Sequence, residues 1–482
     1  MDADSASADR ARVPLSQKAI YGVGMLANQM FPAALGIFMV VLVQGLGMKP
    51  WMWGVLSFLP RLSDALTDPI MGFVTDNTRS RWGRRRPYIF VGAIMAGVAY
   101  VFMWQLDPEN GNTYNFWYFL LLAFVFYFGL TVFATPYVAM GYEMSTDFHE
   151  RTRLMAVSQW IGQWAWVIVP WFWVIIYDDR LYENAVEGAR SLAVWVGLGC
   201  MAMAMLPALF CKTQPVDPST LQDLSLRNLR ANLRMVAREF GATLKLGPFL
   251  RICAATFFVF NAFNTVAAFS FFIIVHHMFG GDTGPDGAAR WPTWFGTVSA
   301  LGSAFLAIPI VTFMSQKLGK KRAFLIAQSI SLLGYAGFWW SFDATDPWKI
   351  FIPLPLYCFG IGSLFTIMMS MTADVCDLDE LRTGSRREGA FGAVYWWMVK
   401  FGFAIAALLG GLIMELVGFD ESATTQTAEA MTGMRMAFIA VPVTGTLIAI
   451  AVMWGYDLNE ERSEEIRRQI RARRSDQSLD TH

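Results

Sequence analysis

Long apolar runs alternate with shorter polar segments along the whole chain. A helix needs about 20 residues to cross a hydrocarbon core, and only helices or closed barrels satisfy their backbone groups there. The runs are continuous and lack the alternation of a barrel strand, so they predict membrane-spanning helices. We predict twelve spans, at 19–44, 51–74, 88–106, 116–140, 154–177, 191–211, 249–279, 293–314, 323–342, 348–372, 390–417 and 434–456.

The composition supports this prediction. Hydrophobic residues make up 55% of the 482 and charged residues only 16%, whereas a soluble domain carries about 25% charged residues. The first eighteen residues are polar, which predicts that the first span, and not a cleaved signal peptide, directs insertion. The five cysteines lie singly, without the spacing of a metal site.

Lysine and arginine concentrate on one side of the predicted membrane. When the loops are assigned alternately to the two sides, one side with the two termini holds 29 of the 38 basic residues. By the positive-inside rule, that side is cytoplasmic and the number of spans is even. We therefore predict a multi-pass protein of the plasma (inner) membrane with both termini in the cytoplasm.

The longest internal polar stretch, 212–248, divides the spans into two groups of six. The predicted fold is an all-α membrane protein of twelve transmembrane helices in two six-helix bundles, at 19–211 and 249–456. A cytoplasmic N-terminus (1–18) precedes them and a cytoplasmic tail (457–482) follows. Within the cytoplasmic linker, leucines interleave with arginines, which predicts an amphipathic helix on the inner leaflet.

Two loops of the first half have counterparts in the second. Gly83 and Gly319 occupy similar basic loops and are 236 residues apart, and the loop at 143–153 is matched by 374–389. Two loops with nearly the same offset indicate a duplicated six-span unit. Secondary transporters are commonly built from such repeats, whereas an enzyme or a receptor does not need them.

The second span contains the charged residues Arg61, Asp64 and Asp68. A charge at the centre of a bilayer costs roughly 2.5–3.5 kcal/mol, so these side chains need partners. Their spacing, with Thr67 between the acids, places them near one helical face. Two carboxylates one turn apart cannot both stay ionised unaided, so they share a proton or bind a hard cation such as Na⁺ or Li⁺.

A different interpretation is that Arg61 forms a static ion pair that only locks helices together. One arginine neutralises one of the two acids, so we favour a monovalent cation site at Asp64 and Asp68, with Arg61 in a coupling role. No other metal is predicted.

Lys400 lies near the middle of the eleventh span. A lysine at this depth needs an anion. We hypothesise that Lys400 is a coupling residue that shares the two carboxylates with the cation and the solute. The alternative is a lysine whose stem reaches a wet cavity without any coupling role.

A set of amide and aromatic side chains within the spans is predicted to bind a polar solute, because binding pockets combine apolar walls with a few polar groups. Interfacial belts and lipid contact are the alternative explanation for the tryptophans. The predicted solute-binding residues are Asn28, Gln29, Gln159, Gln163, Trp160, Trp164, Trp396 and Trp397.

Charged residues in the loops 75–87 and 143–153 form a predicted inner gate. Acid–base pairs among them are expected to hold the two halves together when the inner side is closed, so their loss should bias the protein toward one conformation. The predicted gate residues are Asp76, Arg79, Arg81, Arg85, Glu143, Asp147, Glu150 and Arg151.

Several of these segments together resemble one family. The segments are DALTDPIMGFVTDNTRSRWGRRRP, PYVAM, TDFHERTRL, ADVCDLDELRTGSRREG and WWMVKFG, in this order across both halves. They resemble the glycoside-pentoside-hexuronide:cation symporters, the melibiose permease type of the major facilitator superfamily. The resemblance implies a twelve-helix transporter that couples inward Na⁺, Li⁺ or H⁺ flow to uptake of a glycoside or related solute.

The resemblance also implies roles for single residues. Asp64 and Asp68 are similar to the family's cation-binding acids. Thr67 stands where an amide often occurs, Thr131 where a hydroxyl contributes to the cation site, and Lys400 matches the family's lysine in the eleventh helix. The galactoside-binding positions differ, as listed here: Gln29 replaces the first-span acid, Ala134 the fourth-span acid, Val138 the aromatic plate and Gln159 the fifth-span arginine.

The preferred hypothesis is cation-coupled symport of a sugar or glycoside by alternating access, with no enzymatic activity. An amphiphile or lysolipid carrier is the alternative within transport; a membrane receptor or enzyme is the alternative outside it. No catalytic constellation or separate sensing domain is evident in the sequence. The expected partners are a small-molecule solute, a monovalent cation and the lipid bilayer, with no nucleic acid and no cofactor, and the protein is expected to be a monomer.

Overall fold

The computed structural model describes residues 13–145, 148–212, 223–284, 290–384, 387–423 and 425–479. Within these ranges the regular structure is helical, without strands. Twelve long helices follow one another, six before the linker and six after it. They are α1 (Leu15–Gln44), α2 (Pro50–Asp76), α3 (Arg86–Met103), α4 (Gly111–Glu143), α5 (Phe148–Ile168), α6 (Ala185–Phe210), α7 (Gly247–Phe272), α8 (Arg290–Leu301), α9 (Lys320–Ser341), α10 (Leu354–Ser363), α11 (Glu388–Leu416) and α12 (Ala428–Trp454).

Four of these helices continue beyond the bounds just given. After α5, a 3₁₀ turn at Val169–Trp171 leads into Phe172–Ile176, and Pro170 within the turn cannot donate a backbone hydrogen bond. The other three continue through π-helical segments, which widen the helix locally. These segments are Ile273–Met278 after α7, Gly302–Ala307 followed by Ile308–Leu318 after α8, and Leu364–Met368 followed by Met369–Thr383 after α10.

Eleven of the described helical stretches are long and apolar enough to cross a membrane. The remaining long helix is α2, which has 27 residues. It contains the Arg61, Asp64 and Asp68 set, which lowers its apolar content. The chain is therefore an all-α, multi-pass membrane protein, and the long helix outside this set of eleven is the one with the predicted cation site.

The described residues form two compact units. Unit 1 contains those up to Arg234 together with those of Thr283–Thr293, and unit 2 contains the rest. The division falls within a helix at Leu226–Leu244, which we call the linker helix. A further helix at Glu460–Leu479, the tail helix, belongs to unit 2.

Both units contain a close crossing between their third and fourth helices. In unit 1, a Cβ atom at Gly92 of α3 would lie 2.4 Å from the backbone nitrogen of Phe133 in α4. In unit 2, a Cβ atom at Gly334 of α9 would lie 2.4 Å from the backbone nitrogen of Tyr357 in α10. Lipid gives helices no hydrophobic reason to associate, so close packing at small residues supplies much of the contact energy. The same device in both units is consistent with a duplicated unit.

The basic loops that precede α3 and α9 each contain a glycine in the left-handed region. Gly83 has φ +90° and Gly319 has φ +79°. These are conformations that glycine adopts without the steric cost that a side chain would add. The two glycines that the sequence pairs at an offset of 236 residues thus share a positive φ.

The tail helix packs on the end of α10. Arg467 donates to Asp374 at 2.7 Å and to Asp377 at 3.1 Å, and Lys320 contacts the other oxygen of Asp374 at 2.5 Å. Ile466 and Ile470 of the tail helix are buried. The tail is therefore an integral part of unit 2 and not a free extension.

The start of α1 is tied to the start of α5 by a buried ion pair. Lys18 Nζ lies 2.6 Å from Glu150 Oε1, and the backbone N–H of Val13 donates to the same oxygen at 3.0 Å. The Glu150 side chain is only 4% exposed. The ammonium group of Lys18 lowers the pKa of Glu150 below its ordinary value of 4.5.

The α3–α4 crossing predicts a sharp dependence on residue size. Gly92→Ala places a methyl group against the backbone of α4 and should destabilise the protein by about 1–3 kcal/mol, as overpacking does. Gly199→Ala in α6 is the matched control, because no atom lies within 4 Å of the Cβ position there. Melting temperatures in detergent measure the difference. Equal melting temperatures for the two variants would show that the crossing is looser than described.

The Lys18–Glu150 pair predicts a pH-dependent contribution to stability. Because folding lowers the pKa of Glu150, the contribution is present above the ordinary glutamate pKa and is lost as the pH falls through the folded pKa. Glu150→Gln should cost on the order of 1.5–3 kcal/mol at pH 7 and progressively less as the pH falls below 4.5 and through the lower folded pKa. Melting curves across this range test the prediction, with exposed Glu461→Gln as the control. A gap that stays constant with pH would contradict it.

Candidate functional site: a carboxylate and hydroxyl ladder

The central part of α2 carries the charged residues of unit 1. Asp64 is 6% exposed, and Arg61 and Asp68 are half-buried. Pro60 and Pro69 lie on either side of this stretch, and each removes one backbone donor from the helix. The acids therefore lie one turn apart on a helix whose backbone hydrogen bonding is interrupted twice nearby.

Three side chains of α4 each form a hydrogen bond with one of these charged residues. Arg61 Nε donates to the hydroxyl oxygen of Tyr127 at 2.8 Å, and Thr131 Oγ1 donates to Asp64 Oδ1. Thr135 Oγ1 donates to Asp68 Oδ1 at 3.2 Å. We call these three contacts the ladder.

The ladder shows that α2 and α4 run parallel and in register. The partners of its three contacts are separated by 66, 67 and 67 positions in the sequence. A nearly constant separation is what two parallel helices produce when residues three and four apart share a face. Each charge of α2 thus meets a hydroxyl of α4 at its own level.

Thr67 adds a third oxygen beside Asp64. Its Oγ1 donates to the backbone oxygen of Asp64 at 3.1 Å and lies 3.2 Å from Thr131 Oγ1. Thr131 is itself 1% exposed. Carboxylate and hydroxyl oxygens at these separations are hard ligands of the kind that alkali cations prefer. The structure brings together Asp64, Thr67 and Thr131 in one cluster, with Asp68 on the next turn.

The predicted solute residues of unit 1 lie on α1 and α5. Gln29 Oε1 accepts a hydrogen bond from Trp166 Nε1 at 3.3 Å, and a Cβ atom at Gly162 would lie 3.3 Å from the Gln29 side chain. Asn28 Nδ2 approaches the sulfur of Met25 at 3.7 Å. Gln29 is thus held between α1 and α5 by an indole that the sequence analysis did not select.

The remaining predicted solute residues of α5 are exposed on unit 1. Trp160 and Trp164 form an edge-to-face pair with ring centroids 6.1 Å apart. Gln159 and Gln163 lie next to them on the same helix and are exposed as well. The four side chains share one surface of α5.

In unit 2, Lys400 is half-buried on α11. Trp396 lies one turn earlier, is 45% exposed and contacts Tyr395 edge to face. Trp397 stacks on Phe401, with centroids 5.2 Å apart, and meets Phe240 of the linker helix edge to face at 5.4 Å. Trp397 therefore has an apolar packing role, and Trp396 is the more accessible indole.

The predicted gate residues of α2 and α4 form a cluster within unit 1. Arg85 contacts Asp76 at 2.9 Å and binds Glu143 through two hydrogen bonds of 2.8 and 2.9 Å. Arg84, which the sequence analysis did not select, also contacts Glu143. Arg85 is buried, whereas Asp76 is exposed. These contacts join the end of α2 to the end of α4.

The other predicted gate residues make looser contacts. Arg79 lies 3.6 Å from Asp223, and both side chains are more than half exposed, so this pair contributes little to stability. Arg81 is exposed. Arg151 donates to the backbone oxygen of Ser145 at 3.2 and 3.3 Å. Glu150 pairs with Lys18 as described above, and Asp147 lies outside the described residues.

The sequence analysis missed Tyr127 and Thr135, and a signal for both was present. Hydroxyl side chains at 127, 131 and 135 recur every four residues on α4, which places them on one helical face. The same number separates Asp64 from Asp68. Trp166 and Lys18 carried no comparable signal, because their partners lie on another helix at no regular offset.

No group of three or more His, Cys, Asp or Glu side chains that could hold a metal ion occurs in the part of the chain that the structure describes. The hard-oxygen cluster on α2 and α4 is thus built from two acids and hydroxyls.

Comparison with proteins of known structure establishes the fold. A crystal structure of the D323A mutant of the nucleoside transporter NupG covers 90% of this chain and 99% of its own, with a TM-score of 0.65 and 13% identity. A structure of a bacterial homologue of the human lysosomal transporter Spinster, inward-facing and occupied, covers 93% of this chain and 97% of its own. Its TM-score is 0.66 and its identity is 13%.

Curated relatives match over nearly the whole chain. The glucuronide carrier protein homolog of Escherichia coli (strain K12) is 25% identical over 92% of this chain and 93% of its own length. The isoprimeverose transporter of Lactiplantibacillus pentosus is 22% identical over 92% of this chain and 88% of its own length. The lactose permease of Leuconostoc lactis is 22% identical over 95% of this chain and 72% of its own length.

The family described as MFS/sugar transport protein matches residues 20–460, which include all twelve long helices apart from the first five residues of α1. The helical fold, the two units with matching crossings and the curated relatives agree with this match. The chain belongs to the MFS/sugar transport protein family, within the glycoside-pentoside-hexuronide:cation symporters.

Proposed function

We propose that the protein imports a sugar or glycoside together with Na⁺ or H⁺, and that the ladder between α2 and α4 holds the coupling ion. The family is one of membrane transporters and not of enzymes, so symport is the activity of the chain. What is proposed here is the class of solute, the ion and the residues. The observation that carries the proposal is the pairing of Asp64 and Asp68 with hydroxyls of α4.

A carboxylate at membrane depth is costly unless it is paired, and a second carboxylate one turn away raises that cost through repulsion. A hydroxyl donor stabilises one oxygen of each acid but leaves the net charge unchanged. A monovalent cation or a proton removes part of that charge, which makes the site a binder of small cations from solution.

The proposed solute is supported by the relatives' names, which include a glucuronide carrier homolog, an isoprimeverose transporter and a lactose permease. The amides Gln29, Asn28, Gln159 and Gln163 supply donors and acceptors for hydroxyl groups, and the exposed indoles Trp160, Trp164 and Trp396 supply flat apolar surfaces. Gln29 replaces an acid that galactoside carriers of the family use, which favours a different glycoside over melibiose.

We propose that Lys400 and Arg61 take part in coupling, because each carries a positive charge that competes with the coupling ion for the carboxylates. Gating is proposed to involve the Asp76, Arg85 and Glu143 cluster, which changes if α2 and α4 shift relative to each other. We propose a plasma (inner) membrane location with both termini cytoplasmic, and a monomer as the transporting species.

The first test removes the acids. Asp64→Cys and Asp68→Cys should each abolish uphill, cation-driven accumulation in proteoliposomes, because the ion loses a charged ligand. Asp179→Cys, an exposed acid in the loop after α5, is the control and should accumulate solute normally. Normal melting temperatures of the variants establish that they are folded. Undiminished accumulation by both α2 variants would rule out the proposed ion site.

The second test identifies the solute and the ion. A ligand that binds only the folded protein raises its melting temperature, equivalent to about 2.7 kcal/mol at one hundred times its dissociation constant. Purified protein is screened against glycosides, hexuronides and lysolipids, each with NaCl or choline chloride, at several pH values. We expect a glycoside or hexuronide to raise the melting temperature further when Na⁺ or a lower pH accompanies it. A response to lysolipids alone would favour the amphiphile carrier instead.

A further inference from the structure

The two acids of α2 have different surroundings. Asp64 and its partner Thr131 are 6% and 1% exposed, and Thr67 lies beside them. Asp68 and its partner Thr135 are both half-buried. The Thr135–Asp68 contact is thus the accessible rung of the ladder, and the Thr131–Asp64 contact is the buried one.

We propose that Thr135 is a specificity-determining residue of the ion site: it positions the carboxylate of Asp68 and offers its own hydroxyl oxygen to the coupling ion. The inference rests on the proposed function, because it assigns a further residue to the same site. It adds a fifth side-chain oxygen source to Asp64, Thr67, Asp68 and Thr131. Nothing in the spacing of α2 alone points to this residue.

The register of the two helices supports the proposal. Thr135 stands four residues after Thr131, as Asp68 stands four after Asp64, so the two acids and the two hydroxyls form a matched pair of rungs. A side-chain hydroxyl both donates one hydrogen and offers lone pairs. Thr135 is therefore able to hold an unoccupied carboxylate by donation and to turn a lone pair toward a bound cation.

Backbone chemistry at the same level points in the same direction. Pro69 follows Asp68 in α2, and Pro136 follows Thr135 in α4. A proline inside a helix deprives the carbonyl four residues earlier of its usual N–H donor. The carbonyls concerned are those of Ala65 and Val132, one in each helix at the level between the two rungs. Both helices thus lose one backbone hydrogen bond where the ion is proposed to bind, which lets this level adjust to an ion more readily than a regular helix.

A purely structural role for Thr135 makes a different prediction. A threonine that only packs α4 against α2 affects stability without changing ion affinity. A threonine that binds the solute changes the half-saturating concentration of the solute and not that of the ion. The half-saturating concentrations of ion and solute are separable in melting-temperature titrations, since one ligand is titrated while the other is saturating. The ratio of half-saturating ion concentrations between a variant and the wild type therefore distinguishes a role in ion binding from the other two roles.

The experiment uses the full-length protein with Thr135→Val, Thr135→Ser and Thr135→Ala. Valine keeps the branched shape without the hydroxyl, and serine keeps the hydroxyl. The matched control is Thr312→Val, because Thr312 is an exposed α8 threonine whose hydroxyl donates to the carbonyl of Ile308. The probe is Na⁺ itself, titrated as NaCl against choline chloride, with the melting temperature as readout. If the wild-type protein responds to pH and not to Na⁺, the same comparison is made from the pH midpoint.

We expect Thr135→Val and Thr135→Ala to raise the half-saturating ion concentration by about threefold to thirtyfold, the range for one hydrogen bond to a charged group that is partly solvated. Thr135→Ser should return it to within about threefold of wild type, and Thr312→Val should leave it unchanged. The half-saturating solute concentration at saturating ion should not move for any variant.

Three outcomes overturn the inference in distinguishable ways. Thr135→Val with wild-type ion affinity, or with an altered solute constant alone, removes Thr135 from the ion site and leaves cation-coupled transport intact. A wild-type protein without Na⁺- or H⁺-driven accumulation removes the proposed function and this inference with it. Failure of serine to restore affinity assigns the effect to packing and likewise refutes the role of the hydroxyl.

Discussion

The contact between the acids of α2 and the hydroxyls of α4 is the constraint on which the rest of unit 1 depends. Charged groups inside a membrane protein persist only if the fold supplies partners, and here a single neighbouring helix supplies one to each charge. This requires α2 and α4 to stay parallel and in register, because a shift by one residue turns the hydroxyls away from the acids. The ion-pair cluster of Arg85 with Asp76 and Glu143 joins the ends of the same two helices. The hydrogen bonds at the site and the ion pairs that hold α2 against α4 therefore depend on one another.

The two units share a scaffold but not a chemistry. Gly92 and Gly334 allow equally close helix crossings, and Gly83 and Gly319 both have positive φ. Nevertheless, the acids and hydroxyls of the ladder lie in unit 1, whereas unit 2 carries Lys400. The scaffold is fixed by backbone geometry, which tolerates duplication, while the polar side chains inside it have diverged. A transporter gains from this division, because the frame is preserved in both halves and the ion chemistry needs to be built only once.

The sequence predicted the helices and singled out the acids, for physical reasons that apply to each. Hydrocarbon requires long apolar helices, and a charge among apolar residues is visible without any knowledge of neighbours, which is why Asp64 and Asp68 were identified. Thr135 and Tyr127 were missed because a hydroxyl on an apolar helix is inexpensive and common, so their four-residue spacing stands out only beside the same spacing of Asp64 and Asp68. The π-helical segments of α7, α8 and α10 were also missed. They reflect packing between helices, which hydrophobic periodicity does not encode.

The arrangement also explains how one ion site suits carriers of many solutes. In unit 1, the ladder belongs to α2 and α4, whereas Gln29 and its partner Trp166 belong to α1 and α5. The helix pair that is proposed to hold the ion is thus separate from the pair that presents amides and indoles. Replacing an acid by Gln29 on α1 alters the groups offered to a solute without removing a partner from Asp64 or Asp68. On this basis we expect that solute positions can change while the proposed cation pair stays. The relatives' names fit such a division, since a glucuronide carrier homolog, an isoprimeverose transporter and a lactose permease all align over most of this chain.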